Sequence, residues 1–340
     1  MSKLYAGIDL HSNNNYLCLI NDKDQRVHEV KLKNDLQRVV FELKPFERDL
    51  EGIVVESTYN WYWLVDGLMD VGYRVHLANP AKNIHYSGLK NTNDRYDAFW
   101  LAHLLRLGLL AEGYIYPKED RAVRDLLRKR SQLVHFKTAN ILSIQNLHSR
   151  NSGSQISSEA IRQLSCEEIA LLTVDLDLAL AIECNLVLIH LLMEKIAQLE
   201  KSILDRATLR PAFQKLMSID GVGKILALTI MLETGDIGRF KGVGDFTSYS
   251  RCVPSKKISN GKKKGEGNRK NGNKYLAWAF VEAANFCKRY NSEANRFYQK
   301  KAQKTKEVLA IKALASKLAR ASYFVMRDQV DFDPSKLFHY

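Results

Sequence analysis

Short cysteine pairs are missing from this chain. Its five cysteines, Cys18, Cys166, Cys184, Cys252 and Cys287, include no Cys-x-x-Cys spacing. That speaks against a zinc ribbon and against a disulfide framework, and leaves them as small apolar side chains in a reducing cytosol. His76, His85, His103, His135, His148 and His190 likewise show no metal-ligand spacing. No signal peptide is read at the start, where Met1-Ser2-Lys3-Leu4 leads directly into a strand pattern. An uninterrupted apolar run of membrane length is also lacking. The most apolar stretch, Ile169 to Leu192, is broken by Asp175, Asp177 and Glu183 and is expected to be a poor membrane span. These absences lead to the expectation of a soluble, cytoplasmic protein with no membrane partner.

What is present is substantial. The 340 residues are 46% apolar, enough for real cores in about two domains of roughly 100–200 residues each. Lys and Arg number 51 against 38 Asp and Glu, a net charge of +13 that is unevenly spread. Residues 1–110 hold 13 basic and 14 acidic side chains, so the remainder carries +14. A near-neutral, carboxylate-bearing front joined to a basic rear suits an enzyme acting on a polyanion.

The front of the chain carries the candidate chemistry. Residues 3–10, 15–20 and 26–33 alternate or run apolar, with turn residues between them, and read as three consecutive antiparallel strands. A helix at about 35–44, a strand ending at Glu56, a Trp-rich helix at about 60–70, a strand at Tyr73–Leu77 and a helix from Asp94 to Leu107 follow. This is the order of an RNase H-like (RuvC-like) α/β domain. Asp9 ends the first apolar run and Glu56 ends Ile53-Val54-Val55, while Asp94 and Asp97, three apart, share one helix face. Clustered carboxylates must take up protons or bind cations, so Asp9, Glu56, Asp94 and Asp97 point to Mg²⁺ chemistry on phosphate esters. His11, two residues beyond Asp9, could tune the site, but is read first as a surface or packing histidine. Trp61, Tyr62 and Trp63 read as core. Lys82, His85 and Lys90 are candidate nucleic-acid contacts.

From Arg121 to Arg150 the pattern is helical and basic, and Arg121, Arg124, Arg128, Lys129 and Arg130 are candidates to follow a phosphate backbone. After a break at Ser152-Gly153-Ser154, residues 165–206 read as a helical arm. Its Leu188, Leu191, Leu192, Ile196, Leu199 and Ile203 lie at coiled-coil-like spacing and are expected to meet a partner helix. The third part is mainly helical. Ile219-Asp220-Gly221-Val222-Gly223-Lys224 before a helix resembles a helix–hairpin–helix, in which Gly221, Gly223 and Lys224 would approach a phosphate. The expected organisation is 1–118 for the metal-binding domain, 119–207 for the basic helix and oligomerisation arm, and 208–340 for the C-terminal domain.

Between Ser255 and Lys274 the chain has eight basic residues, one acidic residue and four glycines. The cations are Lys256, Lys257, Lys262, Lys263, Lys264, Arg269, Lys270 and Lys274. Such a segment would be mobile alone and ordered against a phosphate backbone. Ser259 stands before Asn260-Gly261, a turn dipeptide that would present its hydroxyl outward. No His-Asp pair stands nearby to activate a serine, so its natural activator is a metal held by the distant carboxylates. The residues by themselves leave open whether Ser259 is a nucleophile or part of a plain basic loop.

Taken in order, Gly7-Ile8-Asp9-Leu10-His11-Ser12, Val55-Glu56-Ser57-Thr58, Asn93-Asp94-Arg95-Tyr96-Asp97-Ala98, Ile219-Asp220-Gly221-Val222-Gly223, Gly235-Asp236-Ile237-Gly238-Arg239-Phe240, Pro254 with Ser259-Asn260-Gly261, and Lys270-Asn271-Gly272-Asn273 resemble a known family over nearly the whole chain. It is that of the IS-one-ten and IS-eleven-eleven transposases of bacterial insertion sequences. The resemblance implies a RuvC-like domain with an Asp-Glu-Asp-Asp set, a helical arm and a C-terminal transposase domain with an essential serine. It further implies site-specific recombination of donor and target DNA, guided by a structured bridge RNA. The enzyme would be a homo-oligomer, dimer or tetramer, in which one subunit's carboxylates and another's serine complete a site. On that basis Asp9, Glu56, Asp94 and Asp97 would hold Mg²⁺ and Ser259 would form a transient phosphoserine, with Ser255 the less favoured nucleophile. The rivals are a RuvC-like junction resolvase or nuclease using water, a non-catalytic nucleic-acid-binding protein, and an actin-like ATPase, against which the missing second phosphate loop counts.

Overall fold

The computed structural model describes residues 3–80, 93–207, 210–255, 257–266 and 271–338. Lys82, His85 and Lys90 lie outside them, as do Lys256, Arg269 and Lys270. The chain divides into two compact units, Met1–Lys118 and Glu119–Tyr340.

In the first unit, β1 (Leu4–Leu10), β2 (Asn14–Asn21) and β3 (Arg26–Lys33) form an antiparallel meander. Helix α1 (Leu36–Leu43), β4 (Leu50–Glu56), α2 (Tyr62–Asp70), β5 (Val75–Ala78) and α3 (Asp94–Arg106) follow. β4 lies parallel to β1 and β5 parallel to β4, giving the mixed sheet order β3-β2-β1-β4-β5. That order is consistent with the RNase H-like domain expected from the sequence.

Strand alternation sorts the side chains. Ala6, Ile8, Leu10, Ile53 and Val55 point to one face and pack with Val39, Leu43, Leu64, Val65 and Leu68 of α1 and α2. Trp61 belongs to this core, and Tyr62 and Trp63 pack against it. Gly7 and Asp9 belong to the opposite face, which α3 covers with Ala98 and Ala102. A methyl group on Gly7 would stand 2.0 Å from the Ala98 carbonyl oxygen and 2.7 Å from the Ala102 nitrogen. Only a residue without Cβ lets the helix backbone lie this close. Gly7→Ala is therefore expected to destabilise this unit by about 3 kcal/mol, because helix backbone rather than a flexible side chain must give way. Urea denaturation of the variant measures this, and an unchanged midpoint would refute it.

Among the described residues, the second unit is helical apart from one hairpin. α4 (Lys118–Ser152) and α5 (Ser158–Gln163) precede α6 (Leu176–Ala207). Ile141 and Ile144 of α4 pack with Ile161, Ile182, Leu186 and Ile189. The stretch 165–175 is not part of the long helix as the sequence suggested. It holds a 3-10 turn at Glu167–Leu171, and Asp175 caps the first turn of α6 by accepting from the Leu178 amide at 2.9 Å. Among the described residues, the helix Leu176–Arg206 is long and apolar enough to cross a membrane by length and composition. Leu180, Leu188 and Leu191 are exposed on it, whereas Ile196 and Ile203 are buried.

Then come α7 (Pro211–Met217), α8 (Lys224–Thr234), α9 (Val243–Tyr249), strands β6 (Lys257–Ser259) and β7 (Lys262–Gly265), α10 (Lys274–Tyr290), α11 (Ser292–Ala302) and α12 (Glu307–Asp328). α8 is buried over nearly all its length among Phe246, Phe280, Leu314, Leu318 and Tyr323. The lysine-rich segment is not simply a loop: β6 and β7 pair antiparallel around Asn260-Gly261. Both turn residues have positive φ, 49° and 69°, which is the type I′ geometry that Asn-Gly favours.

Candidate metal centre and basic surface

β1 and β4 run parallel with Ile8 beside Val55, so Asp9 and Glu56 emerge side by side at the carboxyl ends of the two strands. Both belong to the face covered by α3. Asn93 caps that helix by accepting from the Tyr96 amide at 2.9 Å, which places Asp94 and Asp97 in its first turn. There the partial positive charge of the helix N-terminus favours carboxylates. Helix spacing sets Asp97 next to Ala98, at the point of closest approach to β1. The four carboxylates named from the sequence thus come from two strand ends and one helix start.

Their electrostatics show the crowding. Asp9 is 3% exposed, and burial, with Glu56 and Asp97 beside it, pushes its carboxyl up to about 7, opposed by His11. Asp97 is raised by burial, by Glu56 and by Asp94. Asp94 goes the other way, held down chiefly by its bond from Lys31. Lys31 Nζ donates to Asp94 Oδ2 at 3.2 Å. His11 Nε2 lies 3.3 Å from both Asp9 Oδ2 and Asp94 Oδ1. Asp9, His11 and Asp94 can offer three ligand atoms within 4.8 Å of one another. A donor set of hard carboxylate oxygens, two of which resist ionisation without a cation, fits a divalent metal ion.

Two members of this centre lie beyond the four carboxylates read from the sequence. His11 is partly exposed, and the chain turn after β1 folds it back between Asp9 and Asp94. Lys31 was not singled out at all. The hairpin register contained the signal: Asp9 pairs with Tyr16, and Tyr16 pairs with Lys31. The three therefore form one row across the sheet, on one face.

The basic helix corrects an expectation more broadly. Arg121 and Arg124 are buried, 5% and 8% exposed, and so present no charge to a polyanion. Arg128 makes a two-pronged bond to Glu233 on α8, with Nε donating at 2.6 Å and Nη2 at 2.7 Å, and lies 4.7 Å over the Tyr275 ring. Its guanidinium is held above its ordinary range, against the cost of burial, by Glu233. Arg130 donates to Glu200 of α6 at 2.8 Å. Of the five candidates, Lys129 is exposed. These arginines follow the apolar stripe inward because α4 is clasped by α6 and α8. Helical periodicity alone does not reveal that a carboxylate waits opposite.

Glu233 is nearly fully buried and also accepts from Asn273 Nδ2 at 2.7 Å, while Asn273 caps α10 through the Tyr275 and Leu276 amides. Glu233→Ala is expected to cost about 3 kcal/mol, because it strands the Arg128 charge and one cap donor. A thermal or denaturant melt tests this. A loss under about 1 kcal/mol would mean that the pair contributes little.

Gly221 departs from its assigned role as well. At φ +86° a Cβ there would meet the Cys287 nitrogen at 2.4 Å and the Ala283 oxygen at 2.6 Å, so its close approach is to α10 and not to a phosphate. Gly223 and Lys224, at the N-terminus of α8, are exposed, and nothing lies near a Cβ at Gly223. Ser259 is exposed at the hairpin tip, with Lys262, Lys264 and Lys274 also exposed, whereas Ser255 is half-buried. Lys257 and Lys263 lie on the two strands.

Comparison with known proteins bears on both units. A DEDD transposase family model matches residues 6–148, and a second, described as Transposase IS116/IS110/IS902 family, matches residues 213–299. A protein of Pseudomonas aeruginosa named "Probable family 20 transposase" is 23% identical over 285 residues, covering 80% of this chain and 82% of its own.

Proposed function

Because this chain belongs to the IS116/IS110/IS902 family of transposases, we propose that it is a site-specific DNA recombinase that cuts and rejoins DNA through a transient phosphoserine at Ser259, guided by a structured RNA of its own element. Membership implies DNA substrates and divalent-metal use. Mg²⁺, the RNA guide, the serine nucleophile and a dimeric or tetrameric assembly are the finer parts of the reading.

One observation carries it: Asp9, Glu56, Asp94 and Asp97 are gathered at two strand ends and one helix start, with Asp9 and Asp97 resisting ionisation. Those carboxylates would hold the metal, which when bound supplies positive charge for the phosphate oxygens. The protein's own part is then positional. Lys31 and the start of α3 keep Asp94 ionised and aimed. The hairpin tip offers the Ser259 hydroxyl among lysines that neutralise the DNA backbone. Attack of the Ser259 oxygen on phosphorus forms one phosphate ester bond and breaks another. The proton lost by serine ends on the departing sugar oxygen. One ester replaces another, so a free hydroxyl of the partner strand reverses the step without an external energy source.

The exposed leucines of α6 support a second copy as the partner of the arm, and the division at 119–207 and 208–340 belongs to the same reading. Arrest of the reaction on matched donor DNA, target DNA and guide RNA, followed by mass spectrometry of the attached peptide, tests it. An adduct at Ser259 is expected, and adduct-free strand exchange would overturn it.

A further inference from the structure

The backbone of His11 is held with a care that a surface histidine does not need. Its carbonyl oxygen accepts from Asn34 Nδ2 at 3.0 Å and from Asn60 Nδ2 at 3.0 Å, and its amide donates to the Asn14 carbonyl at 2.9 Å. Asn60 is itself fixed by the Thr58 hydroxyl at 2.9 Å, just beyond Glu56. The end of β3, the start of β2 and the approach to α2 thus lock one short turn. The imidazole rising from it has Nε2 at 3.3 Å from Asp9 Oδ2 and 3.3 Å from Asp94 Oδ1.

Those two equal separations are longer than a strong charge-assisted hydrogen bond, which closes to about 2.7–2.9 Å, although the one to Asp94 still helps hold that carboxyl down. They match the spacing of neighbouring ligands around one ion. With metal–ligand bonds of about 2.1 Å, the edge of an octahedron is about 3.0 Å and that of a tetrahedron about 3.4 Å. Resting on the metal-centre reading above, we propose that His11 Nε2 is itself a metal ligand, completing a set with Asp9 and Asp94, and that it adds more to the binding of a first-row transition ion such as Mn²⁺ than to that of Mg²⁺ or Ca²⁺. An imidazole nitrogen is a poor ligand for Mg²⁺ and Ca²⁺, which prefer oxygen, and a better one for first-row transition ions, of which Mn²⁺ is the hardest and also takes oxygen donors. Asp94, held from its other oxygen by Lys31, keeps Oδ1 turned toward the same point.

The test is pulsed electron paramagnetic resonance of the full-length protein loaded with Mn²⁺, grown with natural or ¹⁵N-labelled histidine. Directly bound nitrogen coupling is expected, changing with the label and vanishing in His11→Asn. In parallel, His11→Asn is expected to weaken Mn²⁺ binding on the order of tenfold or more while changing Mg²⁺ and Ca²⁺ binding less than about threefold. The partly exposed side chain makes loss of folding a minor concern, and the wild-type spectrum is independent of any variant. Mn²⁺ binding that depends on Asp9 but shows no histidine nitrogen would overturn this inference and leave the carboxylate centre standing. Binding indifferent to Asp9→Asn would overturn both.

Discussion

Asp9→Asn is expected to make the metal-free protein more stable at pH 8 while lowering strand cleavage on the order of a thousandfold. The two signs have one cause. Asp9 is buried against Glu56 and Asp97, and its carboxyl is raised to about 7 in the folded chain from the usual value near 4. Between those values the folded state binds a proton that the unfolded state has released. The stability associated with the protonated form is complete below about pH 4 and is lost as pH rises through about 7. A shift of this size corresponds to a penalty on the order of 2–4 kcal/mol above pH 7. Asparagine keeps the shape and never ionises, so the variant lacks both the penalty and the slope. Saturating Mg²⁺ or Mn²⁺ is expected to raise the wild-type melting temperature at pH 8 and to leave that of Asp9→Asn nearly unmoved. A variant that melts below the wild type at pH 8 without metal would show that the cluster is not under electrostatic strain.

Ser259→Ala is expected to abolish both the covalent protein–DNA adduct and strand exchange, with a loss on the order of a thousandfold or more. The fold should hardly notice, because the residue is exposed at the tip of a hairpin whose geometry is set by Asn260-Gly261, and surface changes of this kind stay within about 0.5 kcal/mol. The variant should keep its metal affinity and its DNA affinity, since the carboxylates and lysines are untouched. Ser255→Ala is the matched control, because its half-buried hydroxyl stands outside the hairpin. Persistent cleavage by Ser259→Ala, with water as the nucleophile, would instead favour the hydrolytic nuclease reading that the carboxylates alone would also suit.

How legible the molecule is from its sequence varies with the range of the interaction. The first sheet was readable because alternation is local: Ala6, Ile8 and Leu10 facing one way leave Gly7 and Asp9 facing the other. The carboxylates were readable for the same reason, since each ends or begins an element with an evident boundary. Asn260-Gly261 announced a turn, although its surroundings read as a mobile loop, because lysines mask strand pairing that depends on backbone bonds. The basic helix was misread. Arg121, Arg124, Arg128 and Arg130 look like a phosphate-binding stripe until Glu233, more than a hundred residues later, and Glu200 are seen opposite two of them.

The sequence by itself determined the order of strands and helices in the first unit and the family, because these rest on short-range periodicity and on motifs in a set order. The tertiary structure alone decided which charges face inward, that Gly221 serves a helix contact, and that His11 and Lys31 join the acidic centre. Those outcomes depend on partners far away in the chain. Charge and glycine are the residue features whose meaning changes most with what stands across from them.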